Sequence, residues 1–349
     1  MTQMATAGTV LVTGAAGYLG SHAVVGLARA GYRAVGVDNY LTSNPAVVDA
    51  LEDVLGHRPT MHEADVADEQ TLRTVFASEP IDAVIHFAGL KSVGDSVLDP
   101  LRYYRVNLQS ATTLLSVMRE HDVRRIIFSS SCTVYGNPAT VPVDETAPIA
   151  PISPYGETKA TIEDLLRDLA DAEPGWSALA LRYFNPVGAD ATGLIGEDPA
   201  AGPTTLLPNV MAAAAGERPV VRVFGDDHPT PDGTCIRDFI HVSDLIDAHI
   251  AAVRSLERVS GFDAMNVGTG QGISVLEMIE ACSAAVGEAI PYEIVGRRSG
   301  DASEVYAKAG RAAEFLGWQP TRTLADMASD HWRWHRDHPH GYPVRVGTA

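Results

Sequence analysis

An α/β chain built on a doubly wound parallel sheet, followed by a smaller C-terminal α/β unit, is the architecture that three observations predict. A short buried-strand pattern, Thr9–Thr13, runs through a glycine-rich turn into an apolar helix. Strand-like and helical stretches then alternate up to residue 184, the pattern of a parallel sheet with crossover helices. From residue 185 the texture changes to a Gly- and Pro-rich segment with little periodicity, after which αβ units return.

The 349 residues suffice for one large domain or two interlocked ones. We divide them into a dinucleotide-binding unit, 1–184, and a substrate unit, 185–349, with 243–270 packing back on the first. A formal charge of -18 argues against a general nucleic-acid surface or an anionic-membrane surface. Three widely spaced cysteines, Cys132, Cys235 and Cys282, give neither a disulfide framework nor a zinc spacing, so a cytoplasmic setting is expected. No stretch reads as a signal peptide or a membrane span.

In order, Gly14, Gly17 and Gly20 form the turn after the first strand, and the helix Ala23–Ala30 follows. Glycines there permit a tight turn and close backbone approach to a pyrophosphate facing a helix N-terminus, the logic of a Rossmann-type sheet. A second strand, Arg33–Val37, ends in Asp38, 18 residues beyond Gly20 and near the spacing of about 20 residues for a ribose-binding carboxylate. A carboxylate there accepts hydroxyl hydrogen bonds and repels a 2′-phosphate, so NAD is expected rather than NADP. Further strands are expected near 60–63, 83–87, 125–129 and 178–183, with helices near 46–55, 68–77, 100–121 and 153–172. Asp65-Val66 and Phe87-Ala88-Gly89 sit just past strand ends, where such sheets bind ligands. Ser129-Ser130-Ser131 ends the fifth strand, and Ser131 is the one expected to reach the crevice.

The second region reads as a helix near 204–215, a strand Val220–Phe224, a charged loop 226–233, a helix 243–257, a strand Ala264–Val267 and a helix 274–286. A strand, a loop with Arg297, Arg298 and Asp301, and a C-terminal helix complete it. His331 and His335 share an i,i+4 spacing that can bind zinc, but no Glu follows His331 and no third ligand is evident. An amphipathic surface helix is the expectation, without a metal.

The chemistry is expected at Ser153-Pro154-Tyr155-Gly156-Glu157-Thr158-Lys159. Ser153 caps, Pro154 fits the first turn, and Ile162, Leu165, Leu166 and Leu169 continue at helical spacing. Tyr155 and Lys159 are four apart and share a helix face. A fixed ammonium beside a phenol favours its ionisation below the ordinary pKa of about 10, which makes the pair a candidate general base. Of 26 basic residues only Lys91, Lys159 and Lys308 are lysines. A chain that otherwise uses arginine yet places Lys159 here points to a need for an ammonium, since guanidinium is bulkier and planar.

With Val12-Thr13-Gly14 to His22, His86 to Lys91, Phe128 to Gly136, Tyr155 to Lys159, Leu181 to Ala189 and Arg237 to Val242 in view, the chain from about 9 to 343 resembles the UDP-glucose (UDP-galactose) 4-epimerases, extended short-chain dehydrogenase/reductases. The resemblance implies a Rossmann-type doubly wound parallel sheet with a smaller C-terminal α/β substrate domain, tightly bound NAD, a UDP-sugar substrate and a homodimer formed through the helices at 100–121 and 153–172. It implies Tyr155 as the base at the sugar 4-hydroxyl, Lys159 as the holder of the nicotinamide ribose, and Ser131 as a hydrogen-bond partner of the 4-oxygen. Around NAD it implies Gly14, Gly17, Tyr18, Leu19, Gly20, Asp38, Asn39, Asp65, Val66, Phe87, Ala88, Gly89, Lys91, Tyr155, Lys159 and Phe184. Around the UDP-sugar it implies Ser131, Tyr155, Asn185, Thr205, Leu206, Phe224, Arg237, Arg298, Asp301 and Val305, with Arg237 and Arg298 suited to clamp a diphosphate.

Three positions depart from the family pattern. Val106 and Thr205 stand where asparagines are usual, and Val305 stands where some bacterial members carry tyrosine in the sugar pocket. Two neighbouring activities were weighed. A nucleotide-sugar 4,6-dehydratase needs an acid and a base where this chain has Cys132 and Thr133. A non-catalytic NAD-binding scaffold need not keep Ser131, Tyr155 and Lys159. Epimerases of UDP-pentoses or UDP-uronates remain alternatives within the family.

Overall fold

The computed structural model describes residues 7–198, 202, 205–298 and 302–343. The first half lays down β1 (Thr9–Thr13), α1 (Tyr18–Arg29), β2 (Arg33–Asp38), α2 (Val47–Leu55), β3 (Thr60–Glu63), α3 (Glu69–Ser78) and β4 (Ala83–His86). It continues with α4 (Val93–Leu98), α5 (Pro100–Glu120), β5 (Arg125–Ser131), α6 (Pro154–Ala172) and β6 (Ser177–Tyr183). The second half adds β7 (Asn185–Val187), α7 (Leu206–Ala214), β8 (Val221–Phe224), β9 (Ile236–Arg237), β10 (Phe239–His241), α8 (Val242–Ser255) and β11 (Gly261–Val267). It ends with β12 (Ile273–Ser274), α9 (Val275–Val286), β13 (Tyr292–Val295), β14 (Glu304–Val305), α10 (Gly310–Leu316) and α11 (Leu324–Asp337).

Seven strands form one sheet in the order β11-β6-β5-β4-β1-β2-β3, every pair parallel. The chain starts at β1, winds out to β3, then crosses back to β4 and winds out the other way. The order therefore reverses between β1 and β4, and a crevice opens at the strands' C-terminal ends. Strand alternation sorts the core onto two faces. Val10 and Val12 join Leu27 of α1 and Leu245 of α8, while Leu11 joins Leu72 of α3, Leu114 of α5 and Ile162 of α6. Burial on both faces is why these strands read as short apolar runs.

Helix starts follow local chemistry. Asp68 accepts from Gln70 and Thr71 N–H at the start of α3. The Ser153 hydroxyl accepts Gly156 N–H at 3.1 Å, and Pro154 occupies the first turn of α6. α8 packs on α1 and β11 pairs with β6, so residues 242–267 lie against the large sheet. The remaining strands make small sheets, β10 with β7, β12-β9-β14, and β13 with β8, over a second apolar cluster that includes Met211, Val223, Phe239, Met278 and Met327.

α11 is amphipathic, as expected, and its buried face carries Met327, Ala328, His331 and Trp334; His331 is 2% exposed and its Nδ1 accepts Gly188 N–H at 3.2 Å. The ring is a packing and hydrogen-bonding residue that ties α11 to the segment after β7. Among the described residues, no group of His, Cys, Asp or Glu is arranged to hold a metal ion, and no helix is long and apolar enough to cross a membrane. The sequence reading also passed over α4, α10 and the two- and three-residue strands, which are too short to show a period.

Candidate active site

The glycine turn between β1 and α1 is shaped for a phosphate. Gly14 has φ +70, and a Cβ there would lie 2.9 Å from Ala88 N; a Cβ on Gly20 would lie 2.0 Å from Gly14 O. Side chains are therefore excluded where the turn touches the β4 loop and itself. Gly17 is the N-cap of α1, and no side chain caps this helix, so its first-turn amides, at Tyr18, Leu19 and Gly20, face outward as an anion cradle.

Asp38 ends β2 almost fully buried. Its Oδ2 accepts Ala16 N–H at 2.9 Å, and its Oδ1 accepts Tyr40 N–H and the Ser43 hydroxyl, both at 2.8 Å. The carboxylate is thus held rigidly beside the glycine turn, with lone-pair capacity left for a ribose hydroxyl. Asn39 Nδ2 donates to Asp65 Oδ2 at 3.0 Å, which joins the ends of β2 and β3. Val66 is buried beside them, and Phe87 packs 4.9 Å from the His249 ring. Ala88 N–H donates to Thr13 Oγ1 at 3.3 Å. Gly89 has φ +149, and a Cβ on it would meet Asn107 Oδ1 at 3.1 Å. Tyr18 OH donates to Gly188 O at 2.8 Å, and Lys91 is exposed and paired with Glu197 at 3.0 Å. These residues line the crevice side of the sheet and suit a dinucleotide; of the expected set, Lys91 is the one engaged with a carboxylate of the second half.

The ends of β5 and α6 bring Ser131, Tyr155 and Lys159 together. Ser131 Oγ accepts from Thr133 N–H at 3.2 Å and Thr133 Oγ1 at 3.0 Å. The Ser131 hydroxyl neighbours the Tyr155 phenol and favours its ionised form. Lys159 Nζ donates to Ser129 O at 2.6 Å and lies 5.7 Å from the Tyr155 ring centroid and 4.8 Å from that of Phe128. Tyr155 packs its ring against Leu90, Tyr103 and Val106.

The expected acidification of Tyr155 by Lys159 is not what this site shows. Burial pushes the Tyr155 phenol well up, Tyr183 adds to the rise, and the Ser131 bond only partly opposes it. Burial also pushes the Lys159 ammonium down, to about 7, against the pull of Glu163. Desolvation disfavours both charged forms more than one shared ammonium can offset. Spacing on a helix places the pair but says nothing of how dry the site is.

Of the residues expected around the sugar nucleotide, Asn185, Arg237 and Val305 lie together. Arg237 on β9 is in register with Val305 on β14, and Asn185 N–H donates to Asp238 O at 3.0 Å. Val305 is buried against Phe184 and Ala307, with Cys132 and Ala302 at the edge. Arg237 Nη1 donates to Ile236 O at 2.8 Å. At the end of β8, the Arg298 guanidinium sits 4.2 Å above the Phe224 ring. Thr205 is exposed at the N-cap of α7, without a side-chain capping bond, and Leu206 begins that helix. Asp301 lies outside the described residues.

Three supporting residues escaped the sequence reading. Asn107, buried one residue past Val106, accepts from Leu90 N–H at 2.8 Å and donates to Leu90 O and Thr158 Oγ1. Asp238 accepts from Thr269 N–H and Oγ1, Gly270 N–H and Ala307 N–H, which fixes the loop beside Arg237. Glu163 pairs with Arg182 at 2.5 Å beneath Lys159. Glu163 lies one helical turn beyond Lys159, which was the signal available; the partners of all three are distant in sequence.

The chain is similar to proteins of known class along nearly all its length. The UDP-glucose 4-epimerase of Dictyostelium discoideum is 47% identical over 334 residues, covering 95% of this chain and 97% of that protein. That of Bacillus subtilis is 45% identical over 333 residues, covering 95% and 98%. A crystal structure of UDP-glucose 4-epimerase from Bifidobacterium longum in complex with NAD+ and UDP matches with a TM-score of 0.93 at 46% identity, covering 95% of this chain and 99% of that one. The family model described as the NAD dependent epimerase/dehydratase family matches residues 10–268. Glycine turn, buried Asp38 and the Ser131-Tyr155-Lys159 cluster lie within that match, and the chain belongs to the NAD dependent epimerase/dehydratase family.

Proposed function

We propose that this chain is an NAD-dependent 4-epimerase that interconverts UDP-glucose and UDP-galactose. The observation that carries the reading is the convergence of Ser131, Tyr155 and Lys159 at the crevice end of β5 and α6, beside a glycine turn and a buried Asp38 fit for NAD. When bound, NAD supplies a hydride acceptor that returns what it takes, so a ketone at C4 of the sugar can be reduced again on either face. Tyr155 takes the proton of the 4-hydroxyl and later gives it back. Ser131 donates to the phenol oxygen, favours its anionic form and connects it to the 4-oxygen. Lys159, anchored on Ser129 O, places its positive charge beside the phenol ring. Arg237 and Arg298 hold the diphosphate end while the sugar turns.

Dehydration is disfavoured at the same site. Burial pushes the Cys132 thiol up to about 12, and Thr133 Oγ1 donates to Ser131, so neither serves as an acid or base near neutral pH. Purified protein is expected to convert UDP-galactose and to release NAD, not NADP, on denaturation. Absence of turnover would reject the epimerase reading, and NADP would reject the role given to Asp38, whose carboxylate would face a second anion.

We propose further that the enzyme is a homodimer. Val97 and Leu98 of α4 and Leu101 of α5 are 62%, 85% and 75% exposed, and Ile149 and Ile152 ahead of α6 are also exposed. A second copy laid along α5 and α6 would cover such residues, and sedimentation as a dimer is the observation that decides it.

Substrate range follows from Val305. Valine lacks the phenol ring of the narrower family members, and Ala302 and Ser303 beside it are small. An N-acetyl group at C2 then has space, with Asn185 and Ser131 as neighbours for its polar atoms. UDP-N-acetylglucosamine and its galactose epimer are expected to be substrates as well. Val305→Tyr should remove that second activity and spare the first, read as kcat/KM for both substrate pairs. No turnover of the N-acetylated pair by the parent would leave Val305 as a packing residue only.

A further inference from the structure

The segments that carry the proposed chemistry meet at one buried carboxylate. Glu163 lies four residues past Lys159 on α6 and is 2% exposed. Its Oε1 accepts the Ser130 hydroxyl at 2.5 Å, next to Ser131 on β5. Arg182 on β6 clamps both carboxylate oxygens, Nε to Oε1 at 2.9 Å and Nη2 to Oε2 at 2.5 Å. From there Arg182 Nη1 donates to Tyr135 OH at 3.0 Å, and that hydroxyl donates to Asn266 Oδ1 at 2.7 Å on β11. Arg182 also precedes Tyr183, whose hydroxyl bonds Ser129, the residue whose carbonyl holds Lys159. Lys159 is thus one helical turn from Glu163 and Ser130 is one residue from Ser131, while Arg182 joins the site through Tyr183 and Ser129. A buried ion pair adds little net stability over apolar side chains of equal volume, so register is the property it supplies best.

Resting on the epimerase reading above, we propose that Glu163 is a positioning residue: it holds the Lys159 ammonium and the Ser131 hydroxyl in register by tying α6 to β5 and β6. It is too deeply buried to act on a substrate. Its charge serves the same end. Facing Lys159 are Tyr155 on the same helix, His86 on β4, the Ser129 carbonyl on β5 and, through Ser129, Tyr183 on β6. Burial keeps His86 neutral, at about 3, and pushes both phenols up. Facing Glu163 are Arg182 and, through it, Tyr135, with Glu145 beyond, bonded to Asn266 N–H. Glu163 is thus the anion that supports the ammonium, which burial already draws down to about 7. Without it, Lys159 loses its proton at lower pH and no longer places a positive charge beside the Tyr155 ring.

The three lysines make a direct test practical. In NAD-loaded protein labelled with ¹³C at lysine Cε, Lys91 and Lys308 are exposed reference signals and Lys159 the buried one. Glu163→Gln is expected to move the Lys159 titration down by about one pH unit. The alkaline limb of kcat should move down with it, while KM stays within about threefold of the parent. A folded Glu163→Gln protein with unchanged Lys159 titration, or one that loses affinity while keeping kcat, would overturn the proposal. Should the single variant not fold, Glu163→Gln with Arg182→Gln removes both buried charges and is read by the same two outcomes. The lysine signal needs no sugar, so a parent without epimerase turnover would sink the function and still leave the titration to decide Glu163.

Discussion

Replacing Tyr155 by Phe is expected to lower epimerase kcat by roughly 10²–10⁴-fold, the range attributed to a positioned general acid–base group. The substitution removes one oxygen and leaves the ring among Leu90, Tyr103 and Val106. Folding and NAD content should therefore match the parent, so that the loss is chemical. The measurement is turnover of UDP-galactose beside the NAD released on denaturation. Activity within a few-fold of the parent would mean that another group takes the 4-hydroxyl proton. Because burial holds this phenol high, the variant also tests how much of catalysis depends on overcoming that burial when the site is loaded.

A second large loss is expected from Lys159→Arg, although the charge is kept. Lys159 is 5% exposed, and its Nζ lies 2.6 Å from Ser129 O and 4.8 Å from the Phe128 centroid, so a larger planar guanidinium has to displace these neighbours. Turnover should fall by on the order of 10²-fold or more, a general acid–base scale of effect. Lys308→Arg is the matched control. Lys308 is mostly exposed and pairs with Asp144 at 3.6 Å, and an exposed, solvent-screened pair of this kind contributes little. Its activity should stay within a few-fold of the parent. A tolerant Lys159 together with a sensitive Lys308 would reverse the argument from lysine scarcity.

Much of this protein is determined by short-range chemistry, and that part was legible. Apolar runs alternating with 3.6-period segments dictate a parallel sheet wrapped by helices, because each strand needs both faces covered. Ser153 and Pro154 start α6, and the helical period alone puts Tyr155 and Lys159 on one face. The glycine spacing dictates a turn that no Cβ fits, as the 2.0 Å approach at Gly20 confirms. The elements passed over were α4, α10 and the strands of two or three residues, which are too short to carry a period and form because a neighbouring strand or loop completes them.

What tertiary structure alone decided depends on burial and on partners far apart in the chain. Ser130 reaches Glu163 across 33 residues, and Arg182 reaches it across 19, so a pattern read along the sequence does not join them. The hydrogen-bond partner of His331, the Gly188 N–H, lies 143 residues away, beyond what a helical spacing can show. The direction of the Tyr155 and Lys159 shifts was likewise set by desolvation, a property of the assembled site. Sequence places side chains relative to their own helix or strand. Only the packed chain sets how much water each charge has lost and which opposite charge replaces it, and that balance governs the base.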